Sequence, residues 1–234
     1  MPQEYFAKEV HSRVIPSVRK ALSTLAHAGA EIRPVTLKNT RYAFSAYYVL
    51  ASAEASSNLA RYDGIRYGHR AEMGLGVPYA EQIARSRTEG FGEEVYKRIL
   101  LGTYSLTSEL FDNFFLRAQE ARQLVGRDFD NIFADLPNVL KGAEERQEHD
   151  SQAGVHALLH PSAIDIAPTI DDAGNAGVAT YTQDLLTVPA SLAGIPAVSV
   201  PMGQADGMPV GVTMSTQWGC ESLLWRILPH FHKH

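Results

Sequence analysis

Apolar residues at helical spacing predict a first helix from Val14 to His27. The residues that form its apolar stripe are Val14, Val18, Leu22 and Leu25. Ser12 is available as an N-cap, and Gly29 can end the helix because glycine readily adopts the left-handed backbone conformation. The alternation between Ala30 and Leu37 then predicts a strand, so the chain opens with a helix followed by a strand.

The middle of the chain is predicted to be mostly helical. Phe44 to Leu59 is apolar and small on most faces, which is typical of a deeply packed helix. Glu93 to Ser105 and Ser108 to Ala134 are predicted as long helices. The second of these has an apolar stripe formed by Leu110, Phe114, Ala118, Ala121 and Val125. Tyr62 to Gly92 is rich in glycine and charge and is predicted to be a loop with short helical pieces.

In and beside that loop, charged residues are dense in the sequence. They are Arg61, Asp63, Arg66 and Arg70, which form a dense ionic neighbourhood.

The last third of the chain alternates strands with helices. A polar insert near 141–154 has almost no apolar residues and is predicted to be a solvated loop or a disordered segment. After it, strands are predicted at Ala157 to His160, at Ala197 to Val200 and at Val210 to Ser215. Helices are predicted from Tyr181 onward and from Glu221 to His230. Strands interleaved with helices indicate an α/β layer architecture.

Composition limits the classes of function. The 21 basic and 26 acidic residues give a net charge of −5 with no long basic run, which argues against a surface that tracks phosphates. The sequence also shows no aromatic and basic platform for single-stranded nucleic acid. No apolar stretch approaches the roughly 20 residues that cross a bilayer. The first ten residues have neither a signal-peptide nor a transit-peptide pattern.

Reactive residue types lack the arrangements that catalysis or metal binding needs. Cys220 is the single cysteine, which excludes an intrachain disulfide, and no device that would activate its thiol is visible. Ser56 and Ser57 lie inside a helical run rather than on a strained glycine-rich turn. Two histidine clusters lack the short repeated spacing of structural zinc sites, and we predict no metal site. These clusters are His149, His156 and His160, and His230, His232 and His234.

Asp184 is the most informative single residue. It opens an otherwise apolar run that continues from Leu185 through the predicted strand to Pro201. A carboxylate that faces a core needs a cationic partner or several hydrogen-bond donors. Asp184 is therefore either paired within the protein or available to hold the positive group of a ligand.

Several blocks of the chain, taken in their order along it, resemble the C-terminal half of the amidase-signature family. The most specific block is Ser-Asn-Leu-Ala-Arg-Tyr-Asp-Gly-Ile-Arg-Tyr-Gly, from Ser57 to Gly68. It is similar to the branch formed by the A subunits of glutamyl-tRNA(Gln) amidotransferase. The ending Leu-Ala-Gly-Ile-Pro-Ala-Val-Ser-Val-Pro, from Leu192 to Pro201, is shared with other amidases and indicates the wider family.

The resemblance implies an α/β amidase-signature fold with a mixed β-sheet core flanked by helices, and residues 1–234 would be its C-terminal part. In that branch the enzyme hydrolyses glutamine and supplies ammonia for amidating glutamate on tRNA. The family's N-terminal catalytic half, with its lysine and two catalytic serines, has no counterpart in these 234 residues. We therefore assign no catalytic residue and expect the chain alone to be inactive.

The resemblance also implies a glutamine-binding wall. Arg98 matches the family's arginine for the α-carboxylate, Asp184 its aspartate for the α-ammonium, and Tyr47 a tyrosine that lines the same pocket. A guanidinium and a carboxylate are the groups that a zwitterion requires. Without the family match, Arg98 could instead pair with Glu94 or lie along its helix surface, and Tyr47 could be a core aromatic residue.

The implied partners are the B and C subunits of the amidotransferase, with glutamine as substrate and tRNA contacted mainly through the B subunit. No cofactor is expected on this chain, since ATP and magnesium would bind the B subunit. The polar insert, the sequence from Met208 to Gln217 and the segment after Trp225 favour a eukaryotic organelle, so we expect the mitochondrial matrix, and otherwise the cytoplasm, as the location. Two alternatives stay open: a non-catalytic paralogue that acts as an interaction protein, and a fragment of a general amidase.

Overall fold

The computed structural model describes residues 1–6, 8–74, 76–134, 154–171 and 177–231. The chain divides into two compact units. We call them the sheet unit, which comprises Met1–Phe44 with Arg122–His234, and the helical unit, which comprises Ser45–Ala121.

The sheet unit contains a small antiparallel sheet whose order is β1-β3-β2. Its strands are β1 (Ala157–Pro161), β2 (Ala197–Ala205) and β3 (Met208–Thr216). β2 and β3 form a hairpin whose turn contains Asp206 and Gly207, both with positive φ. Antiparallel pairing of β1 with β3 sets His160 opposite Thr213, and the hairpin sets Ser199 opposite Thr213. Because side chains alternate along a strand, these three residues share one face of the sheet.

The opposite face of the sheet forms the core of the sheet unit. The strand residues in this core are Leu159, Val200, Met202, Val212 and Met214. They pack with Val18 and Ala21 of helix α1 (Ile15–His27) and with Leu224 of helix α7 (Glu221–Ile227). Phe231, in the 3-10 helix Leu228–Phe231, joins the same cluster. One apolar face of the hairpin is thus covered by helices from both ends of the chain.

The other helices of the chain have the following bounds. They are α2 (Thr40–Leu59), α3 (Tyr79–Gly90), α4 (Glu93–Ser105), α5 (Arg117–Ile132) and α6 (Val188–Ala193). A π-helix spans Asp112–Leu116, and further 3-10 helices span Gln3–Phe6, Ser12–Val14 and Gly177–Leu186. The chain passes between the two units inside α2 and inside α5.

Most predicted elements are confirmed, and one predicted strand is wrong. Residues 30–37 form no strand: Val35 makes an isolated bridge to Pro2, and most of the segment is exposed. Glu31 and Arg33 pair with each other there, 2.7 Å apart, so the polar residues that made the alternation face solvent. The stretch from Tyr62 to Gly92, predicted as a loop with short helical pieces, contains one twelve-residue helix, α3, whose few apolar residues gave little periodic signal.

The boundaries of some helices also differ from the prediction. Helix α2 begins at Thr40 rather than at Phe44, and regular α-helix resumes only at Arg117 in the stretch predicted from Ser108. The N-terminal turn before α1 is capped by His11, whose Nδ1 accepts a hydrogen bond from the Arg13 amide, rather than by Ser12.

The polar insert near 141–154 lies, apart from its last residue, outside the described residues. Within the described part of the chain, no helix is both long and apolar enough to cross a membrane.

Candidate functional site

Two of the three predicted glutamine-binding residues lie close together in the helical unit. Tyr47 belongs to α2 and Arg98 to α4, and both side chains are half-buried. The ring of Tyr48 contacts both of them. Its centroid is 5.3 Å from that of Tyr47 in an edge-to-face arrangement, and 6.0 Å from the guanidinium carbon of Arg98. Tyr48 is thus the shared neighbour of the two predicted residues.

A close approach of α2 and α4 positions this cluster. Gly102 lies one turn after Arg98, and a β-carbon on Gly102 would sit only 2.0 Å from the Ser52 carbonyl oxygen. Ser52 lies one turn after Tyr48. The close contact of Gly102 with Ser52 therefore lies one turn along the same two helices from the contact of Arg98 with Tyr48. One turn further, Ser56 Oγ lies 3.0 Å from Thr103 Oγ1. Glycine at position 102 therefore allows α4 to bring Arg98 to the tyrosines.

The charges around Arg98 leave its guanidinium available. Lys97 Nζ lies 2.9 Å from a Glu93 oxygen and 2.8 Å from a Glu94 oxygen, and these hydrogen bonds raise the pKa of Lys97. No ion pair of Arg98 occurs within the described residues, so the alternative pairing with Glu94 is not found. A half-buried guanidinium without a carboxylate partner can bind the carboxylate of a ligand.

Tyr48 is the residue of this cluster that the sequence analysis missed. Its adjacency to Tyr47 is visible in the sequence, but the family resemblance named Tyr47 alone, and two consecutive helical residues point about 100° apart, so adjacency does not place Tyr48 at the site. The structure places Tyr48 between its neighbours because α4 packs against the face of α2 that carries Tyr48 and Ser52.

Asp184, the third predicted residue, belongs to the sheet unit. It lies in the 3-10 helix Gly177–Leu186, and its side chain is exposed. The expectation that this carboxylate faces the core is therefore wrong; Leu186, two residues later, is buried instead. The Asp184 carbonyl accepts hydrogen bonds from the Thr187 amide and from Thr187 Oγ1, both at 3.1 Å. These hydrogen bonds form the turn that leads into helix α6, and they fix the backbone at Asp184.

A cavity of about 300 Å³ opens in the sheet unit beside Gln183, the residue before Asp184. Its polar lining residues are Ser162, Asp165 and Gln183, and its other lining residues are small or apolar, among them Val14 and Val210. The cavity can therefore accept a small molecule with a few hydrogen-bonding groups.

Arg13 fixes the wall of this cavity. Its guanidinium donates two hydrogen bonds to Asp165, at 2.6 and 2.7 Å, and a third to Asp206 in the hairpin turn, at 2.7 Å. The bonds from Arg13 hold the pKa of Asp165 below its usual value. This bidentate contact keeps Asp165 ionised and joins three distant segments of the sheet unit.

A cluster of hydroxyl groups lies next to the cavity. Ser162 Oγ is 2.5 Å from Ser199 Oγ and 2.8 Å from Thr213 Oγ1. Gly211 makes room for it, since a β-carbon there would be 2.9 Å from the hydroxyl oxygens of both serines. Each of these hydrogen bonds joins two hydroxyls, so none of them identifies a base that would activate a nucleophile.

Other reactive residue types show no catalytic arrangement in the described part of the chain. Ser56 packs between α2 and α4, and burial followed by the charge of Glu221 raises the pKa of the Cys220 thiol, which disfavours its thiolate. No group of three or more histidine, cysteine, aspartate or glutamate side chains that could hold a metal ion occurs among the described residues. His149, His232 and His234 lie outside them.

Comparison with known proteins gives consistent results. The Amidase family model matches residues 1–224. The A subunit of the mitochondrial glutamyl-tRNA(Gln) amidotransferase of Mycosarcoma maydis is 47% identical over 235 residues, which cover 98% of this chain and 43% of that protein. Its counterpart from Listeria monocytogenes serovar 1/2a is 40% identical over 233 residues, which cover 100% of this chain and 44% of that protein.

Solved structures agree with these sequence matches. The A subunit of the glutamyl-tRNA(Gln) amidotransferase of Thermotoga maritima superimposes with a TM-score of 0.63 at 27% identity, covering 96% of this chain and 39% of that one. A 6-aminohexanoate cyclic dimer hydrolase reaches the same TM-score at 18% identity, a likeness of fold alone. The chain spans less than half the length of these relatives.

Proposed function

Since the chain belongs to the amidase family, we propose that it is the glutamine-binding part of a glutamyl-tRNA(Gln) amidotransferase A subunit. The observation that carries this proposal is its 47% identity, over nearly its whole length, to a protein of that name. In the intact enzyme, glutamine would be hydrolysed and its ammonia passed on to amidate glutamate on tRNA(Gln). The Lys and Ser residues of the family's catalytic half would come from sequence that these 234 residues do not contain.

The proposed role of Arg98 is to bind the α-carboxylate of glutamine. Its half-buried guanidinium, stacked near Tyr48 and without an ion pair among the described residues, supports this role. Tyr47 would line the same pocket through its contact with Tyr48. Asp184 would bind the α-ammonium group, because an exposed carboxylate on a fixed backbone can accept its hydrogen bonds.

The proposal is tested by measuring the affinity of the chain for three ligands. L-glutamine has both charges, N-acetyl-L-glutamine lacks the ammonium, and L-glutamine α-amide lacks the carboxylate. A hydrogen bond to a charged group contributes about 1.5–3 kcal/mol, so each lost charge should weaken binding by about 10- to 100-fold. Asp184→Asn should remove only the difference in affinity between L-glutamine and N-acetyl-L-glutamine. Arg98→Gln should remove only the difference in affinity between L-glutamine and its α-amide.

Matched controls are Asp130→Asn and Arg127→Gln, which remove one exposed charge of the same sign from helix α5. Neither should alter the ranking of the three ligands. If Asp184→Asn leaves the discrimination between glutamine and its N-acetyl form intact, the proposed ammonium site is wrong. Ammonia release from glutamine should stay at the background rate with every variant, because no catalytic residue is assigned to this chain.

We place this activity in mitochondria, in a complex with the amidotransferase B and C subunits. Mitochondrial relatives of the same name from two fungi support the location. ATP and magnesium would act at the B subunit, which would also make most of the contact with tRNA. Co-expression with tagged B and C subunits should retain the chain on the affinity resin, and loss of the chain during washing would contradict the assembly.

A second candidate function is a non-catalytic interaction protein. The observation that favours it is an apolar surface on α4, where Leu100 is 69% exposed and Tyr104 is 54% exposed. Exposed apolar residues next to each other often mark protein contacts. Retention by the B and C subunits together with no measurable glutamine affinity would favour this alternative over the first.

A further inference from the structure

Residues 61–70 of the helical unit, which we call the arginine–tyrosine loop, expose three arginines and two tyrosines. They are Arg61, Tyr62, Arg66, Tyr67 and Arg70. None of the three guanidinium groups has a hydrogen bond or ion pair within the described residues. Asp63, the acid of this ionic neighbourhood, uses Oδ1 to accept a hydrogen bond from the Ile65 amide at 2.9 Å.

The turn at the centre of this loop is held against helix α3. Gly64 has a φ of +76°, and a β-carbon there would lie 2.8 Å from Ser86 Oγ and 2.9 Å from the His69 carbonyl oxygen. Ser86 Oγ in turn accepts a hydrogen bond from the Ala71 amide at 3.1 Å. Only glycine fits this turn, because the space is filled and the backbone is left-handed.

The two ends of the loop are also fixed. The Arg87 guanidinium donates hydrogen bonds to the carbonyl oxygens of Leu59, at 2.7 Å, and of Tyr62, at 3.0 Å. His69 Nε2 lies 3.1 Å from a Glu89 oxygen. The loop is thus tied to α3 along its length although it has no regular secondary structure. Its exposed side chains are presented from a fixed backbone, which lowers the entropic cost of binding a partner.

The tyrosines offer aromatic surface beside the arginines. Tyr62 is 44% exposed and Tyr67 is 49% exposed. Their ring centroids are 5.2 Å apart at an interplanar angle of 84°, and Gly68 lies against the Tyr62 ring. In this edge-to-face contact the edge of one ring lies on one face of the other, and Phe91 is a second edge-to-face neighbour of Tyr62 at 6.5 Å. Both tyrosines nevertheless remain exposed to solvent. An exposed ring face can stack with a planar group of a ligand.

We propose that the arginine–tyrosine loop is a binding surface for RNA with unpaired bases. Guanidinium groups bind phosphates, and aromatic faces stack with bases, so the loop combines the two contacts that single-stranded RNA makes with proteins. We depart here from the expectation that the chain has no aromatic and basic platform for single-stranded nucleic acid. The loop carries three arginines against one aspartate in a chain whose net charge is −5, so the positive charge is local and the net charge does not reveal it. An acidic protein segment would use the arginines and leave the tyrosines without a role. This inference does not depend on glutamine binding.

The test is fluorescence anisotropy of the full chain with a fluorescein-labelled single-stranded RNA of mixed sequence, about 16 nucleotides long. The variant Arg61→Ala/Arg66→Ala/Arg70→Ala removes the three loop arginines. The control Arg19→Ala/Arg127→Ala/Arg226→Ala removes three exposed arginines of the sheet unit and changes the net charge equally. The loop variant should bind at least about 10-fold more weakly, and the slope of log affinity against log salt should fall by about 2. The control should lose less than about 3-fold.

A second pair of variants separates RNA from an acidic protein. Tyr62→Ala/Tyr67→Ala should weaken RNA binding by about 5-fold or more, whereas Tyr62→Phe/Tyr67→Phe should retain it, because phenylalanine also stacks with bases. Neither pair should alter binding of labelled poly-L-glutamate. Circular dichroism melting curves identify variants that no longer fold, and the phenylalanine pair keeps the test valid if the alanine pair is among them.

Three results would overturn the proposal. The first is an equal loss of RNA affinity in the loop and control arginine variants. The second is RNA affinity that does not change in the folded Tyr62→Ala/Tyr67→Ala variant. The third is binding of poly-L-glutamate as tight as binding of RNA. The last would assign the loop to an acidic protein partner.

Discussion

Val212 and Met214 are completely buried in the sheet unit, whereas Leu100 in the helical unit is more than two-thirds exposed. In the sheet unit, a hairpin with one apolar face meets helices from both ends of the chain, so its apolar residues are covered from within the unit. In the helical unit, α4 turns Gly102 toward α2 and leaves Leu100 and Tyr104 on the surface.

This difference separates residues that maintain the fold from residues that are available to a partner. Burial of an apolar side chain stabilises the folded state in proportion to the area removed from water. An exposed leucine contributes little of that stabilisation and adds to an apolar surface of the kind found at interfaces. Substitutions in the two units should therefore have very different effects on stability.

The largest expected contrast is between Met214→Ala and Leu100→Ala. Truncating a buried methionine removes its transfer free energy and leaves a cavity, so Met214→Ala should lower the free energy of unfolding by about 2–5 kcal/mol. Leu100→Ala should change it by less than about 0.5 kcal/mol. Urea unfolding monitored by circular dichroism measures both. Met214→Leu, which nearly preserves the volume, is the control and should cost less than about 1.5 kcal/mol. Similar losses for Leu100 and Met214 would show that the α4 surface is buried in solution.

A pH-dependent loss of stability should arise on the polar face of the sheet, at His160. This histidine is completely buried, its ring packs edge-to-face on Tyr5 with centroids 4.6 Å apart, and its Nδ1 lies 2.7 Å from the Pro161 carbonyl oxygen. Burial lowers the pKa of His160 from 6.5 to about 4, although the Pro161 carbonyl opposes the shift. The folded state therefore holds a neutral ring that the unfolded state protonates more readily.

The sign of the effect follows from the two pKa values. The contribution is fully present above pH 6.5 and is lost progressively as the pH falls toward 4, because the unfolded chain then binds the additional proton. Between neutral pH and pH 5 the loss from this group should be about 2 kcal/mol. Urea titrations at both pH values should show a smaller loss in His160→Gln than in the unmodified chain. An equal loss in both proteins would assign the pH dependence to other groups.

The smallest expected effect is at Gly102, where helices α2 and α4 of the helical unit pack tightly against each other. Gly102→Ala adds a methyl group where the Ser52 carbonyl oxygen lies, and overpacking of this kind costs about 1–3 kcal/mol. Gly126→Ala in α5 is the matched control, because no atom lies within 4 Å of its added carbon. Alanine favours a helix over glycine, so the control should stabilise the protein by about 0.4–1 kcal/mol in thermal or urea unfolding. A neutral Gly102→Ala would mean that α2 and α4 can separate at little cost.

The elements with strong periodicity were predicted well from the sequence. Helix α4 has the predicted bounds, and the hairpin strands extend beyond the predicted ones, mainly toward the turn that joins them. The failure at residues 30–37 has a physical cause, since alternation gives a strand only when a neighbouring strand satisfies its backbone groups. The position and length of helix α3 were not predicted, because it is largely polar and is held by hydrogen bonds with the Ala71 backbone rather than by an apolar stripe.

The roles of the three candidate site residues, Arg98, Tyr47 and Asp184, stay predictions that the family resemblance implies. The structure gives Arg98 and Tyr47 a common neighbour, Tyr48, that the resemblance did not name. The side chain of Asp184 is exposed rather than buried. The cavity beside Gln183 was not predicted, because its walls come from segments far apart in the sequence that Arg13 joins through Asp165 and Asp206.

The sequence by itself determined the family, most of the helices and the apolar face of the sheet, because these depend on local spacing and on residue types that recur within short segments. Only the tertiary structure decided which polar groups have partners. Arg98 lies beside Tyr48 since Gly102 lets two helices approach. In the arginine–tyrosine loop, Asp63 accepts a hydrogen bond from the Ile65 amide, and the three arginines are exposed. A charged residue could pair with many others in the sequence, and only the packing of the folded chain determines which of them lies close enough to bind it.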